Sequence, residues 1–450
     1  MSEKKVNEQD LELGQNFTFG SLLRFVAPSI FTFVFIALYQ LVDGMFIERY
    51  VGEMAISATN LFYPLLGLFV ATGIMLGSGG NALVVRLVGE GKPQEASRVF
   101  SGLLELTLIL GVLSVIVTLL FKEPIMRFCG ATDGNIGYLR DYYVIMCAFA
   151  PAIILQSMLG ITIIGEGKTV VAAVVIMIGG ILNCVLDYVF MAKLKMGIFG
   201  AGLATVIGYF STIVYAVWFY LGARKSSYRL HLVPIDMRAM GQICFNGSSD
   251  MISNLAGGIT ALFMNHLAYR YYGEVGVSAL SVWSYLTFLI MAVFMGFTSA
   301  VEPVLSYHYG SGNIPMRCRV FRLSIRWCLI IGFLLMILLY LFRNAAIELF
   351  FDPGTEYFEI AYRGYIIALP ACLMVGINIF GSGVFTAFSN GVVSALLSAA
   401  RTFLILTACL YGMTALFGGL GLWSAWPTTE ALSLVMTALF LHHYQPRYQY

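Results

Sequence analysis

The sequence of 450 residues is 59% hydrophobic and only 11% charged, with a mean hydropathy of +0.84. Because soluble domains carry about 25% charged residues, this composition excludes a water-soluble globular protein and indicates a chain whose solvent is mostly lipid. The formal net charge of +2 is small, and no basic cluster is interleaved with aromatic residues, so a nucleic-acid partner is not expected.

Twelve apolar runs follow one another along the chain, each near the length of about 20 residues that a helix needs to cross a bilayer. Continuous runs without period-two alternation favour helices over a barrel. The sequence therefore predicts an all-α integral membrane protein with twelve transmembrane helices. The runs lie at residues 22–46, 55–80, 98–121, 138–160, 169–191, 198–222, 242–270, 277–304, 320–342, 358–385, 392–414 and 418–443.

The basic residues predict the orientation in the membrane. With the first residues inside the cell, 17 of the 26 Lys and Arg fall on the cytoplasmic side, which is the side that carries an excess of them. We therefore expect both termini in the cytoplasm and the protein in the plasma membrane (the cell inner membrane). Residues 1–15 are polar and do not resemble a signal peptide, so the first run is expected to remain as a span.

The two halves of the chain resemble each other. GEMAISA at 52–58 aligns with GEVGVSA at 273–279, and GEGKPQEASRVF at 89–100 aligns with GSGNIPMRCRVF at 310–321, both at an offset of 221. Later, GAGLAT at 200–205 meets GGLGLWS at 418–424 at an offset of 219. We predict a parallel repeat of two six-helix units: an N-lobe at 1–222, a cytoplasmic linker at 223–241 and a C-lobe at 242–450. Many transporters built this way bind substrate between the halves.

Acidic residues inside the apolar runs are the candidate functional groups. A charged Asp near the centre of a membrane helix costs roughly 2.5–3.5 kcal/mol on insertion scales. We therefore expect such residues to face a cavity or to bind something, the alternative being a packing role held by local hydrogen bonds. They are Asp43, Asp187, Asp250, Glu302 and Glu430.

The first half holds two of these acids. GGILNCVLDYVF at 179–190 places Asn183 one helical turn before Asp187, on the same face, and Asp43 lies in LYQLVDGMFI at 38–47. Two carboxyl groups in one low-dielectric pocket cannot both remain bare anions, so a proton or a cation must neutralise them. Oxygen ligands suit a hard ion such as Na⁺, whereas a proton needs no ligand geometry. The residues alone do not choose between the two ions.

The segments APSIF, LYQLVDGMFI, GGILNCVLDYVF and GAGLAT together resemble the multidrug and toxic compound extrusion (MATE) family. The resemblance covers essentially the whole chain and is nearest to the DinF-like and MepA-like bacterial branch. It implies that Pro28 bends the first helix and that Tyr142 lies near the cation site. Gln156 and Ser157 stand where the family has amides on its fourth helix. The implied N-lobe cation site, which would hold the coupling H⁺ or Na⁺, is Asp43, Asn183, Asp187 and Thr205.

The acids of the second half give a less specific pattern. In some MATE branches an acid on the seventh helix binds Na⁺ or a proton, and Asp250 resembles it in position. Glu302 and Glu430 could line the cavity floor or pair with Arg401. We treat Asp250, Glu302 and Glu430 as a candidate substrate or ion site.

The resemblance implies a cation-coupled antiporter that exports amphipathic, mostly cationic drugs and toxic organic compounds by a rocker-switch mechanism. Aromatic and Met side chains facing the cleft would suit flat organic cations. The alternative is a flippase of lipid-linked precursors from a related superfamily. That function would call for several Arg or Lys residues in the cavity, and the spans hold little internal basic charge.

Other functional classes are not favoured by the residues. No metal-ligand cluster or nucleophile–base set indicates an enzyme, and no symmetric ring of acids indicates a channel. GEGKT at 165–169 resembles the end of a P-loop, but Thr162 replaces the leading Gly and the segment lies between two spans. We therefore expect no ATP and no cofactor besides the coupling ion. The expected partners are small organic cations and membrane lipid, and the expected state is a monomer.

Overall fold

A computed structural model describes residues 12–131, 136–221 and 234–450, and within these ranges the chain is helical without any strand. This confirms the all-α class. The helices are α1 (Phe19–Tyr50), α2 (Glu53–Gly89), α3 (Pro93–Leu120), α4 (Lys122–Phe128), α5 (Ile136–Ala148), α6 (Ala150–Gly165), α7 (Thr169–Asp187), α8 (Gly197–Leu221), α9 (Met237–Gly310), α10 (Ile314–Leu341), α11 (Arg343–Glu348), α12 (Glu356–Ala368), α13 (Cys372–Ala387), α14 (Gly391–Ala399), α15 (Leu406–Phe417) and α16 (Gly419–Tyr448).

Short segments of other helical types join several of these elements. Two 3₁₀ segments lie at Glu12–Gly14 and Leu369–Ala371. Two π-helical segments, Tyr188–Lys193 and Ala400–Ile405, continue α7 and join α14 to α15. The first continues the helix that carries Asn183 and Asp187, and the second contains Arg401.

Nine of the described helices are long and apolar enough to cross a membrane, or ten if one bent pair counts as a single span. The bent pair, Leu139–Ala148 and Ala150–Gly165, turns by 58° within the predicted fourth span. α9 covers the predicted seventh and eighth spans, and Gly273 (φ 62°, ψ −147°) breaks it between them. These helices confirm a multi-pass membrane protein, while the count of twelve stays a prediction.

The predicted linker at 223–241 is partly helical where the structure describes it. Residues 222–233 lie outside the described ranges. α9 begins at Met237, because the Asp236 carboxylate accepts hydrogen bonds from the backbone N–H groups of Arg238 (2.9 Å) and Ala239 (3.2 Å). The predicted span begins at 242, several residues after the first residue of α9, because the first polar turn of a helix can extend beyond the bilayer and is not part of the apolar run.

Glycines let α2 and α9 pack backbone to backbone at one end of the bundle, here called the closed end. A side chain on Gly89 would collide with the Tyr307 carbonyl, and one on Gly310 would collide with the Arg86 carbonyl. The Ser306 hydroxyl donates a hydrogen bond of 2.8 Å to a carbonyl of α2. Gly89 and Gly310 are matched positions of the sequence repeat, so equivalent residues of the two halves meet at the closed end.

Candidate cation-binding site

Two glycines set the distance between α7 and α8. The backbone carbonyls of Gly179 and Gly208 each lie 2.9 Å from where a Cβ on the other residue would be, so neither position has room for a side chain. This close approach brings Asn183 to Thr205, and the Asn183 amide donates to the Thr205 hydroxyl at 3.3 Å. The hydroxyl in turn donates to the Ala201 carbonyl at 3.1 Å. Small residues at membrane-helix interfaces commonly allow such contacts.

The two predicted N-lobe acids lie together. Asp187 is the last residue of α7 and is completely buried, and Asp43 projects toward it from α1 and is half-buried. The two carboxyl groups are close enough to interact electrostatically. α1 can lie against α7 at this level because Gly180 leaves space for the rings of Phe35 and Tyr39.

Buried oxygen atoms without a hydrogen-bond donor cluster at this position. They are Oδ1 of Asp43, Oδ1 of Asn183 and both carboxylate oxygens of Asp187. A buried acceptor without a partner costs roughly 1–3 kcal/mol, so the arrangement favours a proton or a positive ion among these oxygens. Carboxylate, amide and hydroxyl oxygens form the kind of ligand set that hard cations prefer.

Tyrosines surround the acid pair, and the sequence analysis missed two of them. Tyr39 and Tyr209 lie next to each other along the wall of the cavity and interact electrostatically. Both interact electrostatically with Asp43. Tyr39 lies one helical turn before Asp43, and Tyr209 lies one turn after Thr205. The rule that residues four apart share a helix face would have found both.

A small cavity of about 20 Å³ lies beside the acid pair. Gln156 lines it, so this predicted residue lies next to the site, whereas the Ser157 hydroxyl turns back to the Ile153 carbonyl at 2.9 Å. Tyr142 is buried and interacts electrostatically with both acids. The polar residues that line the cavity are Tyr39, Gln156, Asn183, Thr205, Tyr209 and Thr212.

The structure shows no break in α1 at Pro28, where the resemblance predicts a bend. α1 continues through Pro28 as one helix of 32 residues. The Thr32 hydroxyl donates to the Pro28 carbonyl at 2.8 Å. The bend therefore stays a prediction about another conformation of this helix.

The structure separates the three acids predicted for the C-lobe. Asp250 and Glu302 interact electrostatically with each other, and the Glu302 carboxylate lies against Gly383 of α13. Glu430 is bound elsewhere, with its Oε1 atom 2.9 Å from Arg401 Nη2. Asp250 and Glu302 therefore lie within electrostatic range of each other and are called here the second carboxyl pair, whereas Glu430 forms a buried ion pair.

A bundle of membrane-spanning helices with a buried carboxyl pair beside a polar cavity is typical of a membrane transporter. The profile of the MatE family matches residues 28–189 and 251–411. The chain therefore belongs to the MATE family, whose members are multidrug export transporters and not enzymes.

Relatives of known description span nearly the same length. The chain is 22% identical over 422 residues to the multidrug export protein MepA of Staphylococcus saprophyticus, covering 93% of this chain and 92% of that protein. It is 24% identical over 369 residues to the probable multidrug resistance protein YoeA of Bacillus subtilis, covering 79% and 78%.

Solved structures share the fold. One, described as the outward-facing conformation of a multidrug resistance MATE family transporter of the MOP superfamily, superposes with a TM-score of 0.91 at 22% identity, with 98% of each chain covered. Another, a MOP superfamily transporter of Pyrococcus furiosus described as having reverse polarity of its binding pocket, gives a TM-score of 0.89 at 22% identity and the same coverage.

Proposed function

We propose that this chain is a cation-coupled antiporter that exports amphipathic, mostly cationic organic compounds by alternating access. The observation that carries the proposal is the pair of buried carboxyl groups, Asp43 and Asp187, whose oxygens have too few donors among the described residues. A proton or cation entering the pair removes both repulsion and desolvation cost. Ion binding can drive transport only if this gain in free energy differs between the two arrangements of the lobes, because an ion shifts a conformational equilibrium only by its difference in affinity for the two states. The pocket must therefore differ between the two arrangements.

Both coupling ions fit the pocket. Na⁺ would take oxygens from Asp43, Asp187, Asn183 and the Thr205 hydroxyl, while H⁺ needs only the carboxyl pair. The Thr205 hydroxyl donates its hydrogen to the Ala201 carbonyl and accepts one hydrogen bond from the Asn183 amide, which leaves one lone pair of the hydroxyl oxygen for an ion. No ATP and no other cofactor enter this proposal.

Substrate recognition is assigned to the second carboxyl pair. Asp250 and Glu302 are both on α9, and the Glu302 carboxylate lies against Gly383 of α13. Carboxylates at this position would attract organic cations, on which aromatic rings of the cleft would stack. Glu430 is left out of the substrate site because Arg401 already neutralises it.

We assign the closed end to the cytoplasmic side of the plasma membrane, which corresponds to an outward-facing arrangement. The excess of Lys and Arg predicted for that side supports the assignment. Single cysteines introduced in a Cys-free background, one at position 230 and one at 195, test it with a membrane-impermeant thiol reagent. We expect position 230 to react only in inverted vesicles and position 195 only in intact cells. The opposite pattern would reverse the assignment.

A flippase of lipid-linked pyrophosphates is the weaker candidate. Its anionic substrate would need several uncompensated cations inside the bundle. Two arginines are buried in the described part of the chain: Arg317 lies in the first turn of α10, and Arg401 lies within a span, where Glu430 neutralises it. No observation favours this function over antiport.

The proposal is tested with purified protein in liposomes loaded with a fluorescent organic dication. Na⁺ and H⁺ gradients are imposed separately, without ATP. We expect an inward gradient of at least one of these ions to drive dye export, and the export to stop when an ionophore collapses that gradient. Dye movement that is identical with and without either gradient would contradict antiport. Movement of a fluorescent lipid instead of the dye would favour the flippase.

A further inference from the structure

The C-lobe contains a buried ion pair that lies outside the site described above. Arg401 Nε donates to both carboxylate oxygens of Glu430, at 3.0 Å and 3.1 Å, and Nη2 donates to Oε1 at 2.9 Å. The Asn378 amide donates to Glu430 Oε2 at 2.7 Å and to its backbone carbonyl at 2.9 Å. The side chains of Arg401 and Glu430 are 10% and 2% exposed. The carboxylate is therefore fully paired and its charge is cancelled.

This cluster lies on helices of the second half that correspond to helices of the N-lobe site. The N-lobe site and its cavity use α1, α6, α7 and α8, and the C-lobe cluster uses the counterparts of the last three in chain order: α13, the α14–α15 segment and α16. Asn378 follows Gln156 by 222 residues, close to the offset of the sequence repeat. Each cluster also lies on a helix with a π-helical segment, at Tyr188–Lys193 and Ala400–Ile405. Such segments occur frequently at functional sites.

The oxygen atoms of the two clusters are of the same kinds. The N-lobe offers the carboxylate of Asp187 and the unpaired amide oxygen of Asn183. The C-lobe offers the carboxylate of Glu430, the unpaired amide oxygen of Asn378 and the unpaired hydroxyl of Ser433, one turn along α16. The clusters differ in the group that faces the carboxylate: Asp187 faces a second acid, Asp43, whereas Glu430 faces the guanidinium group of Arg401.

We infer that the C-lobe cluster is a second monovalent-cation site whose permanent occupant is the Arg401 guanidinium. The guanidinium supplies the positive charge that the N-lobe must take from solution. The C-lobe therefore binds no coupling ion, and the exchanged cation enters the N-lobe alone. The statement that the coupling ion enters the N-lobe alone rests on the proposed function. The C-lobe site and its occupant are defined by the ion pair itself.

The inference predicts which changes the site tolerates. Arg401→Met leaves Glu430 as an unpaired buried charge, and breaking a buried pair from one side is strongly destabilising. Arg401→Lys keeps a cation of different shape next to the carboxylate. Removing both charges, in Arg401→Met with Glu430→Gln, restores neutrality without any cation. We expect the melting temperature of the purified protein to fall by about 5 °C or more in Arg401→Met, to fall less in Arg401→Lys, and to recover in the double variant.

The decisive measurement is the melting temperature of Arg401→Ala with millimolar guanidinium or methylguanidinium. We expect a saturable rise toward the wild-type value, no rise with urea, which has a similar shape but no charge, and no rise in Arg401→Ala with Glu430→Gln. If Arg401→Ala does not fold, the test is the difference in melting temperature between Arg401→Lys and Arg401→Met. Equal effects of urea and guanidinium, or equal loss in the Lys and Met variants, would overturn the inference. This experiment measures stability, so a negative result would not contradict the antiport proposal. Conversely, a lack of ion-driven export would not contradict the assignment of Arg401 as the occupant of the C-lobe site.

Discussion

The two halves of the molecule solve the same electrostatic problem in different ways. Each places a carboxylate and an amide inside the membrane. In the N-lobe, Asp187 faces a second acid, Asp43, and its oxygens lack donors among the described residues. In the C-lobe, Glu430 faces Arg401 at 2.9 Å and its charge is cancelled. A site that must exchange its cation needs the first arrangement, because a covalently attached cation cannot leave.

The comparison also separates stability from function. A lone charge in the membrane interior is expensive, so the C-lobe pair lowers the free energy of the folded state relative to either charge alone. The N-lobe acid pair does the opposite when it is empty, and the binding of an ion removes that cost. The N-lobe is therefore the half in which the energy of the folded state depends on the ions outside.

The largest expected effect comes from neutralising the N-lobe pair on the side of α1. Asp43→Asn keeps the shape of the side chain but removes its charge and its ability to exchange a proton. We expect ion-driven dye export to fall about tenfold or more, a loss of at least about 1.4 kcal/mol in coupling, while expression and melting temperature stay close to the wild type. The control is Glu48→Gln, an exposed acid on the same helix. Equal losses in both variants would show that the effect is not specific to the site.

A second change tests whether the closed end must form. Gly89→Ala places a Cβ against the Tyr307 carbonyl, so the contact between α2 and α9 cannot close fully. We expect a several-fold loss of export with dye binding retained, measured by fluorescence anisotropy and by transport in liposomes. Gly241→Ala is the matched control, because nothing lies near its Cβ position. Export at the wild-type rate in Gly89→Ala would mean that this closure is not part of the cycle.

A third change concerns the second carboxyl pair. Removing its charge in Asp250→Asn with Glu302→Gln should weaken export of a dication more than export of a monocation, because two carboxylates attract two charges more strongly than one. We expect a several-fold difference in apparent affinity between the two dyes. Glu274→Gln, an exposed acid on α9, serves as the control. Equal losses for both dyes would remove these acids from substrate recognition.

The smallest expected effect separates the two coupling ions. Thr205→Ala deletes one hydroxyl ligand worth about 1 kcal/mol. Na⁺-driven export should therefore fall several-fold, while H⁺-driven export should change little, because the proton needs only the carboxyl pair. Thr205→Ser retains the hydroxyl and should behave like the wild type. A larger loss with H⁺ than with Na⁺ would contradict the proposed role of this residue.

Helical spacing and composition predicted the parts of the fold that depend on local rules. The apolar runs predicted an all-α membrane protein, and the four-residue interval between Asn183 and Asp187 correctly placed both inward, where both are buried. The same rule, applied to neighbouring turns, would have found Tyr39 and Tyr209. These features depend on one helix at a time, so the sequence alone is sufficient for them.

Features that depend on contacts between distant helices were harder to predict. The sequence leaves both Glu302 and Glu430 as possible partners of Arg401, because the packing of α16 against the segment that carries Arg401 decides between them. Asn378 was not predicted at all, although its distance from Gln156 matches the repeat. The start of α9 at Met237 depends on a cap at Asp236 rather than on hydrophobicity.

The central claim is that Asp187 takes part in ion exchange and is not merely a packing group. The measurement is the export of an organic cation from liposomes by Asp187→Asn, under separately imposed Na⁺ and H⁺ gradients, beside the wild type and the exposed control Asp141→Asn. We predict that the wild type and Asp141→Asn concentrate the dye under at least one gradient, and that Asp187→Asn, folded and inserted, does so under neither. Concentrative export by Asp187→Asn at the wild-type rate would show that the N-lobe pair is structural.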